Sequence, residues 1–132
     1  MIEVRVPAST SNLGPGFDCF GLALELYLTV RATEVPGASE ACRVTTTGAQ
    51  ENEALPHNAV NLIYRAMSFA ARREGISLPP VELEVHNEIP LASGLGSSAA
   101  AIVAGIKLGG LITEHEIPNQ TIQNYATEFE GH

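Results

Sequence analysis

Residues 88–101 have the residue types of a phosphate-binding loop. They follow a strand-like stretch and lead into an alanine-rich, helix-like one, so backbone N–H groups and the positive end of a helix dipole would converge on one point. Gly94 and Gly96 permit a positive φ and let a ligand approach the main chain. The segment also holds three hydroxyl side chains, those of Ser93, Ser97 and Ser98. The pattern predicts an anion site here.

Three other structures could explain this loop. It could be a plain connector in which Ser97 caps the following helix. A Walker loop is excluded, because no Lys-Ser/Thr pair follows the glycines. Gly94, Gly96 and Ala99 match a dinucleotide-binding fingerprint, which needs a strand ending in an acid about 20 residues on. Glu114 falls at that distance but lies in a short connector before another helix, so this alternative is not favoured.

A second polar segment, residues 8–18, combines turn residues with an isolated acid. Gly14-Pro15-Gly16 indicates a turn, and Asp18 is the only aspartate of the chain. A carboxylate in this otherwise uncharged segment can accept hydrogen bonds from a ligand ammonium or hydroxyl group. Asn12 precedes the turn. Either side chain could instead close an Asx-turn, and the local pattern leaves both interpretations open.

Four stretches that could position these loops have the pattern of β-strands. Residues 2–6 alternate apolar and charged side chains, residues 20–32 have apolar side chains at even positions, and residues 43–48 are β-branched. The third is expected to pair with the second across the turn at Pro36-Gly37. Residues 81–86 alternate Val and Leu with Glu and His, which predicts an exposed acidic face.

Three stretches have helical spacing. Residues 58–74 are followed by Gly75 as a C-cap, and residues 98–108 form an alanine-rich helix. Its inward side chains are expected to be Ile102, Val103 and Ile106. A last helix opens at Pro118 or Asn119, with an apolar stripe made of Ile122, Tyr125, Ala126 and Phe129. This stripe reaches His132 without a C-cap or polar tail, so we expect the chain to be the first part of a longer one.

Composition excludes several classes of protein. The 132 residues are 45% hydrophobic with a net charge of −8, which argues against a nucleic-acid groove or binding to an anionic membrane. Cys19 and Cys42 are too few for a disulfide framework or a four-cysteine zinc site and are expected to be buried thiols. No run of 18 apolar residues and no signal-peptide layout is present, so a cytoplasmic domain is expected. His57, His86 and His115 lack the spacing of metal ligands and are expected at the surface.

The residue identities resemble a known family. Pro90-x-x-x-Gly94-Leu95-Gly96-Ser97-Ser98-Ala99-Ala100 is similar to the phosphate-binding motif of the GHMP kinases. Asn12-Leu13-Gly14-Pro15-Gly16-Phe17-Asp18 closely resembles the first motif of the homoserine kinases within that family. Glu130-Gly131-His132 resembles the start of their next motif, which would continue into Pro-Asp-Asn. The resemblance covers essentially the whole chain, and the first two motifs together are much more specific than either alone.

The resemblance implies an α+β fold, with a mixed or antiparallel sheet, helices on one face and ribosomal-protein-like βαβ elements. It implies that residues 1–132 are the N-terminal ATP-binding domain of a kinase that phosphorylates the hydroxyl group of L-homoserine. The alternatives are a sugar or mevalonate kinase of the same family and a non-catalytic nucleotide-binding domain. The missing half would complete the substrate pocket, so these residues alone should be inactive. A homodimer is compatible with the resemblance; nucleic acid and membranes are not expected as partners.

The resemblance also assigns residues to ATP and Mg²⁺. The ATP phosphates would be wrapped by Pro90, Leu91, Ala92, Ser93, Gly94, Leu95, Gly96, Ser97, Ser98, Ala99 and Ala100. Because this loop has no lysine, backbone dipoles and Mg²⁺ would neutralise the phosphate charge. Ser98 is expected nearest the metal and Ser97 on phosphate oxygens, although either could cap the helix. Asn61 and Asn58 are candidates for the nucleobase pocket, and capping explains Asn58 equally well.

The remaining assignments concern the amino-acid substrate and the metal. Asn12, Asp18 and His132 would contact homoserine, and Asp18, Ser98 and Glu130 are the catalytic candidates. Glu128 or Glu130 would help to hold Mg²⁺. Side chains two residues apart on a helix point about 200° apart, so at most one of them should face the site, and the other would be a solvated charge. No general base is assigned, since phosphoryl transfer depends mainly on positioning and charge stabilisation.

Overall fold

The computed structural model of the chain describes residues 1–7, 27–48, 61–88 and 97–131. These residues form four strands and three helices in the order β1 (Ile2–Pro7), β2 (Tyr27–Glu34), β3 (Cys42–Gly48), α1 (Leu62–Glu74), β4 (Val81–Asn87), α2 (Ser97–Leu111) and α3 (Asn119–Glu130). Every predicted element is confirmed where it falls within these ranges. The parts predicted for residues 20–26 and 58–60, and the side chains of Cys19 and His57, lie outside them.

The described strands form one mixed sheet in the order β1-β2-β4-β3. β2 is antiparallel to β1 and β4, and β3 is parallel to β4. The predicted pairing of β3 with β2 was therefore wrong, because β4 lies between them. The turn exists, with Gly37 at a φ of 81°, but it joins strands that are not neighbours. A strand, a helix and a second strand in succession form a crossover unit with parallel strands, and β3, α1 and β4 form such a unit.

The two faces of this sheet differ sharply. On β4 the side chains of Val81, Leu83 and Val85 are buried while those between them are exposed, as the alternation predicted. The buried face joins α1 and α2 in one apolar core that includes Val30, Met67 and other aliphatic side chains. Full burial of such side chains contributes about 1.5–3 kcal/mol each. The α+β prediction, with helices on one face of a mixed sheet, is confirmed.

Cys42 lies in this core with 1% of its surface exposed, as predicted for a buried thiol. Burial raises its pKa to about 12, with a smaller contribution from the Glu40 carboxylate. The thiolate form is the reactive one, so Cys42 is a packing residue at neutral pH.

α1 is bounded by two clear caps. The side-chain oxygen of Asn61 accepts a hydrogen bond from the backbone N–H of Ile63 at 2.8 Å. At the other end Gly75 has a φ of 72° and donates its N–H to the last turn, which confirms the predicted C-cap. Along its length α1 packs against α2 at two glycines, Gly105 and Gly109.

Candidate active-site end of the molecule

Strand directions bring three segments of the chain to one edge of the sheet. β1, β3 and β4 all run in the same direction, and β2 runs against them. Pro7 lies opposite Tyr27, and Asn87 lies opposite Gly48 in the neighbouring strand. The described residues at this edge therefore border residues 8–26, 49–60 and 89–96 in the sequence, and the last of these segments contains most of the predicted phosphate loop.

The N-terminal end of α2 lies at the same edge of the sheet. The C-terminal end of α2 is at the opposite edge, where Leu111 and Ile112 line a surface depression together with Ile2 and Glu34. Ser97, the first residue of α2, is about 20 Å away along the helix, since each residue adds about 1.5 Å. α2 therefore starts where β1 and β4 end.

The directions of α1 and α3 follow from their contacts. Gly105 approaches Ala66, and Gly109 approaches Met67 and Ala70, so α1 runs parallel to α2. α3 runs antiparallel to α1, because Tyr125 bonds to the end of α1 while the ring of Phe129 lies 5.6 Å from the Arg65 guanidinium near its start. We call the shared end of the molecule the junction end. It is formed by Pro7, Tyr27, Gly48, Asn61, Asn87, Ser97 and Glu130.

The electrostatics of the junction end are mixed. α1 and α2 direct their N-termini to it, each with a partial positive charge, and neither has an acidic residue in its described first turn. α3 directs its negative C-terminus to the same end and adds the Glu130 carboxylate. An arrangement of this kind suits an anion with a bound cation better than either ion alone.

Most of the predicted site residues lie outside the described residues. They are Asn12, Asp18, Asn58, Pro90, Leu91, Ala92, Ser93, Gly94, Leu95, Gly96 and His132. Each of them lies in a segment that borders the junction end in the sequence. Because these residues are not described, their roles stay predictions.

The described members of the predicted loop form the start of α2. Ser97 and Ser98 are its first two residues, and Ala99 is half-buried. Ala100 is 3% exposed and packs in the core, so its methyl group faces away from any ligand. What Ala100 can offer a phosphate is its backbone.

Asn61 is 3% exposed and serves as the N-cap of α1. Capping was an alternative for Asn58, whereas the described cap is Asn61. Asparagine is among the preferred N-cap residues, because its oxygen can reach the N–H two positions on. A contact of Asn61 with a nucleobase stays a prediction.

Glu128 and Glu130 have different surroundings. Glu128 forms an ion pair with Arg73 of α1, and both side chains are half-exposed. Glu130 is exposed, and the described part of the chain provides it with no ion-pair partner. The predicted divergence of the two carboxylates therefore leaves Glu130 as the one available to a ligand at the junction end.

The described residues contain no group of three or more His, Cys, Asp or Glu side chains that could hold a metal ion. The exposed Glu130 carboxylate at the end of α3 is a donor that fits Mg²⁺, since an ion held mainly by substrate phosphates needs only one or two carboxylates from the protein.

The contacts of two acidic residues, Glu74 and Glu88, were missed in the sequence. The Glu74 carboxylate accepts a hydrogen bond from the Tyr125 hydroxyl and lies 2.8 Å from His115 Nε2. The sequence contained one signal for the Glu74 contacts. An acid in the last turn of a helix interacts unfavourably with the helix dipole, so a partner for it is expected. At the junction end, Glu88 accepts from the backbone N–H of Tyr27 at 2.9 Å and so links the start of β2 to the end of β4.

The predicted exposure of His86 and His115 is confirmed. Arg5 and Arg31 lie on the open face of the sheet. Arg31 pairs with Glu3 at 2.9 Å, and Arg5 lies over the ring of Tyr27. Among the described helices, none is both long enough and apolar enough to cross a membrane.

Comparison with known proteins agrees with this geometry. The model of the GHMP kinases N terminal domain matches residues 61–132. A homoserine kinase of Deinococcus radiodurans is 43% identical over 98% of this chain and 40% of its own length. One of Desulfitobacterium hafniense is 36% identical over the whole chain and 43% of its own length. The chain thus spans about two fifths of the curated relatives it matches.

Solved structures show the same fold. The homoserine kinase of Cytophaga hutchinsonii superposes with a TM-score of 0.67 at 25% identity, over 96% of this chain and 40% of that one. A mevalonate kinase structure superposes with a TM-score of 0.69 at 15% identity, over 98% of this chain and 46% of that one, a likeness of fold alone. Since the family model covers more than half of the residues, the chain belongs to the GHMP kinase family and contains its N-terminal domain fold.

Proposed function

We propose that this chain is the N-terminal, ATP-binding part of a longer homoserine kinase. The enzyme transfers the γ-phosphoryl group of ATP to the side-chain hydroxyl of L-homoserine and forms O-phospho-L-homoserine, a step of threonine biosynthesis in the cytoplasm. The observation that supports this most directly is the match of nearly the whole chain to homoserine kinases at 35–43% identity. The position of the described residues that flank the candidate segments, all at the junction end, supports it independently.

The proposed role of the start of α2 is to hold the ATP phosphates. Its free backbone N–H groups and dipole favour negative charge. Pro90 to Ser97 would complete the wrap, and the Ser98 hydroxyl would approach the metal. No lysine lies in this loop, so the positive contribution of the protein comes from fixed dipoles.

The proposed metal ligand on α3 is Glu130. Glu128 is already engaged by Arg73, and removing it from that pair would leave the guanidinium without its partner. Glu130 would hold Mg²⁺ together with the ATP phosphates, where the metal neutralises charge that develops during transfer. Asn12, Asp18 and His132 would bind and orient homoserine, with Asp18 able to accept from the substrate ammonium or hydroxyl group.

The test is ADP release by the full-length protein, with homoserine, mevalonate and galactose compared as acceptors and the product identified by mass. Turnover that requires homoserine is expected, and residues 1–132 alone should give none. Turnover with mevalonate or galactose instead would make this a different GHMP kinase. ATP binding without any turnover would make it a non-catalytic nucleotide-binding protein.

A matched pair of variants tests the site. Glu130→Gln should lower kcat about 100-fold or more, the scale seen for loss of one electrostatic contact to a transition state. Glu128→Gln, two residues away on the same helix, should lower it far less. Ser98→Ala should impair turnover, whereas Ser77→Ala, an exposed serine beyond α1, should leave it unchanged. Equal effects of Glu128→Gln and Glu130→Gln would contradict the assignment of the metal ligand.

A further inference from the structure

We propose that Glu74 is a positioning residue, which fixes the C-terminal end of α3 at the junction end by bonding to two other elements. The inference rests on the proposed function, because only then does the end of α3 border a reaction site. Glu74 itself lies at the opposite end of α1, and the partners that the described residues give it, His115 and Tyr125, are not predicted to bind substrate or metal.

The geometry joins two helices and a connector at one carboxylate. Glu74 is the last residue of α1. One of its oxygens lies 2.8 Å from Nε2 of His115, in the connector between α2 and α3. The other accepts a hydrogen bond from the hydroxyl of Tyr125 on α3. We call Glu74, His115 and Tyr125 the Glu74 cluster.

The Glu74 carboxylate is well shielded, with 18% of its side-chain surface exposed. Both of its oxygens are used, so it holds the phenol and the imidazole at fixed directions relative to α1. Hydrogen bonds to a carboxylate are short and directional, which is how they fix a position as well as add stability.

The aromatic contacts between α3 and α1 constrain direction less than these hydrogen bonds do. Tyr125 and Phe129 meet the ring of Phe69 edge-on, with ring centroids 6.3 and 5.5 Å apart. Aromatic pairs of this kind tolerate centroid distances of about 4.5–7 Å, so they allow α3 to slide or rotate slightly. The Glu74 cluster removes that freedom near the middle of α3.

Tyr125 is close enough to Glu130 along α3 to affect its position. Glu130 lies five positions after Tyr125, which is about 7.5 Å along a helix. α3 is short and continuous over this stretch. A shift of Tyr125 on α1 is therefore passed on to Glu130 and to the segment that follows it.

The charges around the cluster keep it intact at neutral pH. The Tyr125 hydroxyl, and to a lesser degree His115, hold the pKa of Glu74 below its usual value, against the opposing effect of burial. The Glu74 carboxylate in turn raises the pKa of Tyr125, with burial and Glu128 adding to the effect and Arg73 opposing it. The carboxylate stays ionised and the phenol stays protonated over the range in which the enzyme works.

The experiment compares Tyr125→Phe and Glu74→Gln in the full-length kinase, with Glu116→Gln as control. Glu116 is an exposed acid of the same connector as His115. A misplacement of 1 Å can cost about 100-fold in rate, so we expect kcat to fall by about 5- to 50-fold in both variants. KM for ATP should change by less than about twofold, because the predicted phosphate loop is attached to β4 and α2. Glu116→Gln should match the wild type.

A second readout is independent of activity. In Glu74→Gln the high-pH absorbance titration of the tyrosinate should show one tyrosine returning towards its ordinary pKa. In Tyr125→Phe, backbone amide signals of residues 126–131 should shift, whereas those at the start of α2 should not. If either variant fails to fold, His115→Ala removes one bond from an exposed position and provides the same tests.

The inference is overturned if kcat is unchanged in the variants, or if kcat and KM for ATP change by the same factor. If the wild-type protein has no homoserine kinase activity, the proposed function fails by itself. The amide signals then decide alone: unchanged signals at residues 126–131 would overturn the role of Glu74 in fixing α3.

Discussion

α1 packs against α2 and α3 in two different ways. Against α2 the contact is between backbones: a Cβ added at Gly105 would lie 2.7 Å from the Cβ of Ala66 and collide with the carbonyl of Ile63. Against α3 the contact is through long side chains. They are those of the Glu74 cluster, the Phe69 ring with its two aromatic partners, and the pair of Arg73 with Glu128. The first contact has almost no adjustable atoms, whereas the second consists of groups that titrate or rotate.

The difference assigns separate roles to the two contacts. A backbone contact fixes α2, whose first residues belong to the predicted phosphate-binding motif, as rigidly as packing allows. A contact made by polar and aromatic side chains fixes α3 by bonds that can be removed one at a time. Substitutions at the two contacts should therefore differ in size and in their dependence on pH and salt.

The largest effect is expected for Gly105→Ala. Overpacking a close contact costs about 1–3 kcal/mol or more, and the gain of about 1 kcal/mol in helix propensity offsets only part of it, so the free energy of unfolding should fall by about 2 kcal/mol. Urea unfolding measures this. Gly75→Ala is the control for backbone strain alone, since Gly75 has a φ of 72° and free space around it. A loss at Gly105 no greater than that at Gly75, about 1 kcal/mol, would contradict the close contact.

An intermediate effect is expected for Tyr125→Phe, which removes the bond to Glu74. At pH 7 the free energy of unfolding should fall by about 1 kcal/mol, a value reduced because the side chains are partly solvated.

This loss has a defined pH dependence. The lowered pKa of Glu74 means that its contribution is present above about pH 4.3, its ordinary value, and lost as the pH falls through the folded value. The raised pKa of Tyr125 means that its contribution is present below about pH 10 and lost as the pH rises through the folded value. The difference between wild type and Tyr125→Phe should therefore be largest near neutral pH. A difference that stays constant from pH 3 to 11 would show that the hydroxyl does not act through Glu74.

The smallest effect is expected for the pair of Arg73 and Glu128. Both side chains are more than a third exposed, and such pairs contribute about 0.2–1 kcal/mol. A double-mutant cycle with Arg73→Gln and Glu128→Gln should give a coupling free energy in this range, decreasing at about 1 M salt. A coupling free energy above about 2 kcal/mol that persists at high salt would contradict this, because it would show that the pair fixes α3 as rigidly as the backbone contact fixes α2.

The sequence predicted the elements well because each has a local signature. The alternation along Val81 to Val85 and the glycine after Glu74 act over a few residues, so both were found with accurate ends. The pairing of β3 was missed because its partner lies more than 30 residues further along the chain. The helix between the two strands was the available signal, since it indicates a crossover and parallel strands.

The site was only partly predictable, for a different physical reason. Glycines and serines within one segment predict a phosphate loop, and the resemblance implies that its ligand is ATP. That Glu128 turns to Arg73 while Glu130 remains available depends on how α3 lies on α1, which no local pattern specifies. The capping role of Asn61 and the bonds of Glu74 likewise depend on which element starts or ends beside them.

The opposite edge of the sheet, away from the junction end, has short connections closed by their own hydrogen bonds, such as Ala38 N–H to Val35 and Ile76 N–H to Ala71. These connections help to close the fold, whereas the predicted site residues lie at the junction end or in segments that border it. Because the two groups of residues are at opposite ends, residues that recognise a substrate can be exchanged without changing these connections, and one framework can support different specificities.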